Sequence, residues 1–155
     1  MLPDQPKVDD FVEFVGGSEN RLRHALTAAF GFEIGKEAAA EALAYGWEHW
    51  EKVRAMANPV GYLYVVGRSR GRKILSYRRP VFPPTPEDST PWFEPGLPDA
   101  LAALPEKERT VLMLIHGYGW HLGEVADTLG VSKSTVQTHA ERGMRKLRRK
   151  LGVER

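Results

Sequence analysis

The residues through which this chain could do covalent or metal chemistry are five histidines, twenty acids and no cysteine. Their spacing offers no catalytic set. His116 and His121 are five positions apart with Gly117 and Gly119 between them, which does not fit the HExxH spacing that puts two ligands on one helix face. Without cysteine there is no thiolate nucleophile, no Cys-based zinc site and no disulfide framework. The sequence also lacks a Gly-rich phosphate loop, a nucleophile elbow and a carboxylate pair in a supporting context. The expectation is a protein that is not an enzyme and carries no cofactor or metal.

The chemistry that does stand out is recognition by hydrogen bonds and charge. Read as a helix, the stretch after Ser132 turns Val136, Ala140, Met144, Leu147 and Leu151 inward. Its outward face then holds Lys133, Ser134, Gln137, Thr138, Glu141, Arg142 and Arg145. Gln can pair bidentately with adenine and Arg with guanine, while Ser and Thr meet bases or phosphate. Five bases in the six residues from Arg145 to Lys150 add a sequence-independent phosphate contact. A second basic block runs from Lys52 to Arg79, with eight bases and no acid. Tyr62, Tyr64 and Tyr77 are interleaved with those bases, as in surfaces that stack unpaired bases while gripping phosphate.

The elements that must position these residues read as helices throughout. Phe11, Val12 and Val15, then Leu22, Ala25, Leu26 and Ala29, recur at helical spacing. A second helix is predicted from about Lys36 to Lys52, with Ala39, Ala42, Leu43, Trp47 and Trp50 on one side. Asn58-Pro59 starts a third, because proline suits the first helical position. Pro105 opens a helix that Gly117 and Gly119 end. Leu122, Val125, Ala126 and Leu129 form an amphipathic helix, and Gly130 can take the left-handed conformation that stops it. Val131 can plug the turn, and Ser132 can cap the next helix. Two short helices joined by Gly-Val-Ser are the signature of a helix-turn-helix.

Seven of the eleven prolines lie between Pro80 and Pro98, a run that removes backbone donors and disfavours helix. It divides the chain into residues 1–79, an extended acidic linker at 80–99, and residues 100–155. Trp92 and Phe93 inside the linker are candidates for docking on a neighbouring domain or a partner. The fold class expected is all-α, two small helical domains joined by this Pro-rich segment. The net charge of +2 hides blocks: −6 from Asp9 to Glu51, +8 from Lys52 to Arg79, −4 from Pro80 to Ala103 and +4 from Leu104 to Arg155. Such sorting points to more than one partner. The N-terminus, MLPDQPKVDD, carries acids and prolines where a signal peptide needs a basic start and an apolar run. No stretch of 18 residues is free of charge and turn formers. Neither a secreted nor a membrane-embedded chain is expected, and a cytoplasmic one fits the lack of cysteine.

With these residues in view, the stretch from Leu104 to Leu151 resembles the fourth region of the extracytoplasmic-function (ECF) group of sigma-70 type RNA polymerase sigma factors. It keeps Leu104, Pro105, Arg109, Gly119, Glu124, Ala126, Leu129 to Ser132, Thr135, Val136, Arg142 and Leu147-Arg148 of that pattern. The resemblance implies a domain that binds the −35 promoter element and the flap of the polymerase β subunit. It sets Thr135, Gln137, Thr138, His139 and Arg142 toward the groove, with His139 where Arg is common.

The first half is similar to the family's second region. Glu37, Glu41 and Trp47 fall on the acidic pattern DxxQExxxxxW, with Ala40 in place of Gln. Together with Leu43 they mark the surface expected to meet the clamp helices of the β′ subunit. NPVGYLYVVGRSRGRK resembles the helix that opens and reads the −10 element, which assigns melted promoter DNA to Tyr62, Tyr64, Arg68, Ser69, Arg72 and Lys73. Gly67, Ser69 and Lys73 depart from the usual Ala, Asn and Asp.

The expectation is a transcription initiation factor that binds bacterial core RNA polymerase and both duplex and melted promoter DNA, with room for an anti-sigma factor and none for a membrane. Two other readings use the same residues. STVQTH followed by KL also resembles the LuxR-type DNA-binding domain, which would make a stand-alone regulator. The departures at Ala40, Gly67 and Ser69 fit a degenerate sigma relative that only sequesters a partner.

Overall fold

The computed structural model describes residues 5–79 and 96–153. The chain is all helical there: α1 (Gln5–Phe30), α2 (Phe32–Glu48), α3 (Trp50–Arg54), α4 (Pro59–Leu75), α5 (Leu97–Ala102), α6 (Glu106–Leu112) with a π-helical turn at Met113–Gly117, α7 (Leu122–Leu129) and α8 (Lys133–Leu151). Most of the Pro-rich linker, with Trp92 and Phe93, lies outside the described residues. Its end does not: α5 begins at Leu97 with Pro98 in its first turn, where a missing N–H costs no hydrogen bond.

Two of the expected boundaries move. The second helix starts at Phe32, four residues before Lys36, because Gly31 turns the chain at φ 89° and lets α2 begin at once. It ends at His49 rather than Lys52. The His49 ring reaches the Tyr45 carbonyl at 3.1 Å and stacks on the Tyr45 ring, adding to the bond that this carbonyl already accepts from the His49 N–H at 3.0 Å. The chain resumes as α3 with Trp50 turned inward, its indole N–H donating to Asp10 at 3.0 Å. Phe11 and Phe14 cover Trp50, and Phe11 also covers Trp47, with ring centroids 5.0–5.3 Å apart.

The closest approach in the first domain is between α1 and α2. A Cβ built on Gly35 would lie 2.4 Å from the Thr27 Cα, a backbone atom that no side-chain rotation can move away. Gly35→Ala is therefore expected to cost about 2 kcal/mol net of alanine's helix preference, about 6 °C in thermal midpoint. An unchanged midpoint in a melting scan would mean that the two helices can separate freely.

One apolar core runs through both halves of the chain. Leu22, Leu26, Phe30 and Leu63 of the first domain belong to the same buried cluster as Val111, Leu114, Val125 and Val136 of the second. Polar bonds reinforce the join. Arg109 is buried, and its guanidinium donates to the Ala29 carbonyl through Nε and Nη2 (3.0 and 2.7 Å) and to the Leu104 carbonyl at 2.7 Å. Arg21 donates to the Thr128 hydroxyl at 2.9 Å, and Asn58 to the Asp127 carbonyl at 2.7 Å.

His24 stacks on Tyr118 across this interface, 4.3 Å apart and 12° from parallel. Burial, and after it the neighbouring Arg23, pull the imidazole below its usual 6.5, with Glu19 opposing. The folded chain thus prefers neutral His24, while an opened or unfolded chain takes up a proton at higher pH. The contact contributes above pH 6.5 and is lost as pH falls below it. A His24→Gln variant should show a smaller drop in melting temperature than the parent between pH 7 and pH 5. Equal drops would remove His24 from the account.

Candidate nucleic-acid interface

The second domain builds its exposed helix from local capping. Glu124 accepts the His121 N–H at 3.1 Å and fixes the start of α7. Gly130 ends α7 at φ 72°, a conformation that costs a residue without Cβ nothing. Ser132 then accepts the Thr135 N–H at 3.1 Å and starts α8. Val131, expected to plug this turn, is 41% exposed; the turn is closed by its backbone N–H bonding to the Ala126 carbonyl. Gly143 admits α6 against α8, since a Cβ there would lie 2.9 Å from Leu112.

This scaffold leaves Lys133, Ser134, Gln137, Thr138, Arg142 and Arg145 exposed, as expected for a groove-facing stripe. Gln137 reaches Glu141 at the outer limit of a hydrogen bond, 3.5 Å, so its amide stays available. Thr138 donates to the Ser134 carbonyl. Two of the eight candidates are set apart. Thr135 and His139 are half-buried and line a cavity of about 310 Å³ together with Tyr64, Val65 and Arg68 of α4. Helical periodicity puts them on the flank of α8 that meets α4, about 80–120° from the centre of the exposed stripe.

The α4 candidates also divide. Asn58 caps the helix by accepting the Gly61 N–H at 3.0 Å, with Pro59 in the first turn. Tyr62 is half-buried and Ser69 and Lys73 are exposed on the open face. Tyr64, expected to stack unpaired bases, is only 3% exposed. It lies against Thr110 of α6, and burial, with the Glu106 carboxylate adding to it, pushes its phenol up to about 12. Leu63, Tyr64 and Gly67 lie on the packed side of α4, where Gly67 meets Leu26 and Ala42 of the first domain and Tyr64 meets the second. Arg68 sits 5.9 Å from the Tyr64 ring centroid. Arg72 is held by both oxygens of Glu106, at 2.9 and 3.2 Å.

A polar aromatic patch that the sequence did not single out adjoins Tyr62. The Tyr45 and Tyr62 hydroxyls are 3.1 Å apart, Lys52 donates to Tyr62 at 3.3 Å, and His49 stacks on Tyr45. The hydrogen bond with Tyr45, and after it the one from Lys52, lowers the Tyr62 phenol, while the bond with Tyr62 raises that of Tyr45. The i, i+4 spacing of Tyr45 and His49 was the available signal. The α2 candidates sit on a separate surface. Glu37 and Glu41 are exposed one turn apart, Glu37 bonded to Arg78 at 2.6 Å. Leu43 and Trp47 are half-buried toward α1, with Lys7 4.8 Å from the Trp47 ring.

Among the described residues no group of three or more His, Cys, Asp or Glu could hold a metal ion, and no helix is long and apolar enough to cross a membrane. Fold and site together define an all-helical protein with a capped helix-turn-helix and an exposed polar stripe on its last helix. Residues 100–149 match the family described as sigma-70, region 4. A 50-residue stretch, 32% of this chain, is 46% identical to RNA polymerase sigma factor FliA of Pseudomonas aeruginosa, of which it covers 20%. The chain thus matches about a fifth of the length of that curated relative. The fold is similar to that of the sigma factor RpoE from Bartonella quintana, solved in complex with the anti-sigma factor NepR. That likeness has a TM-score of 0.60 at 19% identity and covers 94% of this chain and 99% of the other. The fold likeness extends over 94% of the chain, whereas the family match covers residues 100–149.

Proposed function

We propose that this protein is an ECF-type sigma factor that binds core RNA polymerase and directs it to promoters. The observation that carries the reading is the second domain: a capped helix-turn-helix of the sigma-70 region 4 family, with an exposed stripe of Ser134, Gln137, Thr138, Arg142 and Arg145. Its mechanism is positioning. The stripe on α8 reads the −35 duplex through base edges, and the basic C-terminal turns hold phosphate. Tyr62, Ser69 and Lys73 of α4, joined by Lys52 and the Tyr45–His49 stack, form a platform for unpaired −10 bases. Stacking on such a surface offsets the few kcal/mol that each unpaired base costs.

The acidic face of α2, with Glu37 and Glu41, is suited by charge to a basic protein helix, and the β′ clamp helices are the partner assigned to it. The β flap is assigned to the C-terminal domain, where a groove of about 1000 Å³ lined by His116, Ala140, Met144, Arg145, Arg148 and Val153 is large enough for a helix. An anti-sigma factor fits the same reading, as does a cytoplasmic location.

Size-exclusion chromatography of the purified chain with bacterial core RNA polymerase, without DNA, tests it. Stoichiometric co-elution is expected, reduced by Glu41→Lys. DNA binding without co-elution would favour the stand-alone regulator, and loss of both the sequestering module.

A further inference from the structure

Two cavities meet where α4, α6 and α8 converge. The more enclosed one, about 310 Å³, is walled by Val65, Val111, Leu129 and Val131 and takes in Arg68 of α4. The second, about 390 Å³, is lined by Arg72, Arg142 and Lys146, with Glu106 and Glu108 as its acids. Lys107 and His139 line both, so the two form one cleft with an apolar end and a cationic end. Val65 and Val131 are 46% and 41% exposed, so the apolar end is open from outside. Both acids are engaged, Glu106 by Arg72 at 2.9 and 3.2 Å and Glu108 by Lys146 at 2.9 Å. Among the described residues, Arg68, Lys107 and Arg142 have no carboxylate partner.

We propose that this cleft is a binding site for a nucleoside diphosphate or polyphosphate. Base and ribose lie between Val65, Leu129 and Val131, and the phosphates lie on Lys107, His139 and Arg142. An apolar compartment that leads to uncompensated cations selects a molecule with a flat apolar body and several negative charges at one end. A carboxylic acid brings a single charge to three free cations. A diphosphate brings charge for all of them and accepts the paired hydrogen bonds of a guanidinium. The two volumes together fall in the range of small-molecule sites, about 300–1,000 Å³. Duplex DNA meets only the cationic end, because its bases stay stacked and cannot fill the apolar one. Thr135, His139 and Arg142 also belong to the helix assigned to the −35 element, so nucleotide and duplex compete, each weakening the other. That consequence rests on the sigma-factor reading; the binding itself does not.

Calorimetric titration of the full-length chain with ADP, GDP, AMP and pyrophosphate, at one ionic strength, tests the assignment. ADP or GDP is expected to bind once per chain, about tenfold tighter than pyrophosphate and about tenfold tighter than AMP. Val65→Trp fills the apolar end from an exposed position. It should bring the nucleotide down to the pyrophosphate level with an unchanged far-UV spectrum. Lys107→Ala should weaken the nucleotide about tenfold and leave the affinity for a labelled DNA duplex within about twofold. Pyrophosphate as tight as the nucleotides would reduce the cleft to a general anion surface and overturn the proposal. AMP as tight as ADP would overturn it as well, pointing to a single base of a strand. So would a lack of any binding, or binding that neither variant alters. Nucleotide and duplex bound together without competition would remove Arg142 from the site and overturn the proposed exclusion. Nucleotide binding by a chain that holds neither duplex nor polymerase would sink the functional reading alone.

Discussion

Replacing Arg109 by methionine is expected to lower the stability of the chain by about 4 kcal/mol, about 10 °C in thermal midpoint. Methionine fills the same elongated space but supplies none of the three donors that reach the Ala29 and Leu104 carbonyls. The Ala29 carbonyl belongs to the last turn of α1, where no intrahelical N–H is available to it. A buried acceptor left unpaired costs about 1–3 kcal/mol, and here there are two. Burial lowers the affinity of the guanidinium for its proton, yet an arginine stays charged, so these are charge-assisted bonds. The core cluster is continuous between the domains, and a single calorimetric transition shifted downward is therefore expected. If the domains separate instead, the carbonyls find water and the loss appears as a larger radius of gyration with a nearly unchanged midpoint. Parental values of both would show that Arg109 does not join the two halves. Arg109→Lys, with one donor group in place of a planar fork, should fall between.

The reading of the sequence went furthest where the chain punctuates itself. Asn58-Pro59, Gly130 and Ser132 each act on their immediate neighbours, through a side-chain cap or a left-handed turn. Those devices fix the helix-turn-helix and the start of α4 without help from the rest of the fold. The exposed stripe on α8 followed from periodicity alone, since Val136 and Gly143 mark the buried side. Less legible was everything that depends on one domain meeting the other. Nothing local distinguishes Tyr64 from Tyr62; one is buried because α6 lies on it, the other stays open because only α2 and Lys52 adjoin it. His139 and Thr135 were displaced from the stripe for the same reason. The break at His49 escaped because the contact of its ring with the Tyr45 carbonyl and ring interrupts a pattern that is otherwise helical. Arg109 read as part of a family pattern, and its geometry turns that position into an interdomain tie.

On the recognition helix, Gln137→Ala and Arg142→Ala should each cost about 1–3 kcal/mol of discrimination at one base pair of the −35 element, roughly a tenfold to hundredfold loss of selectivity. Both side chains are exposed, on opposite flanks of the stripe centred on Ser134, Thr138 and Arg145. Gln137 is held only by its long contact with Glu141, so the free protein imposes little cost on turning the amide toward a base. Arg142 is exposed beside His139 and Lys146, so its guanidinium is open to a base edge in the free protein. Lys150→Ala is the control. It is exposed near the end of α8, beyond the stripe, and its loss should weaken all sequences alike and reduce the salt dependence by about one phosphate contact. Competition among promoter variants randomised across the −35 element, with polymerase present, separates the two behaviours. Base readout relaxes one position and leaves the salt slope alone, whereas a phosphate contact does the reverse. Unchanged selectivity in both Gln137→Ala and Arg142→Ala would move recognition off this face of α8. The flank residues Thr135 and His139 would then be the next to test, since they lie beside the stripe on the same helix.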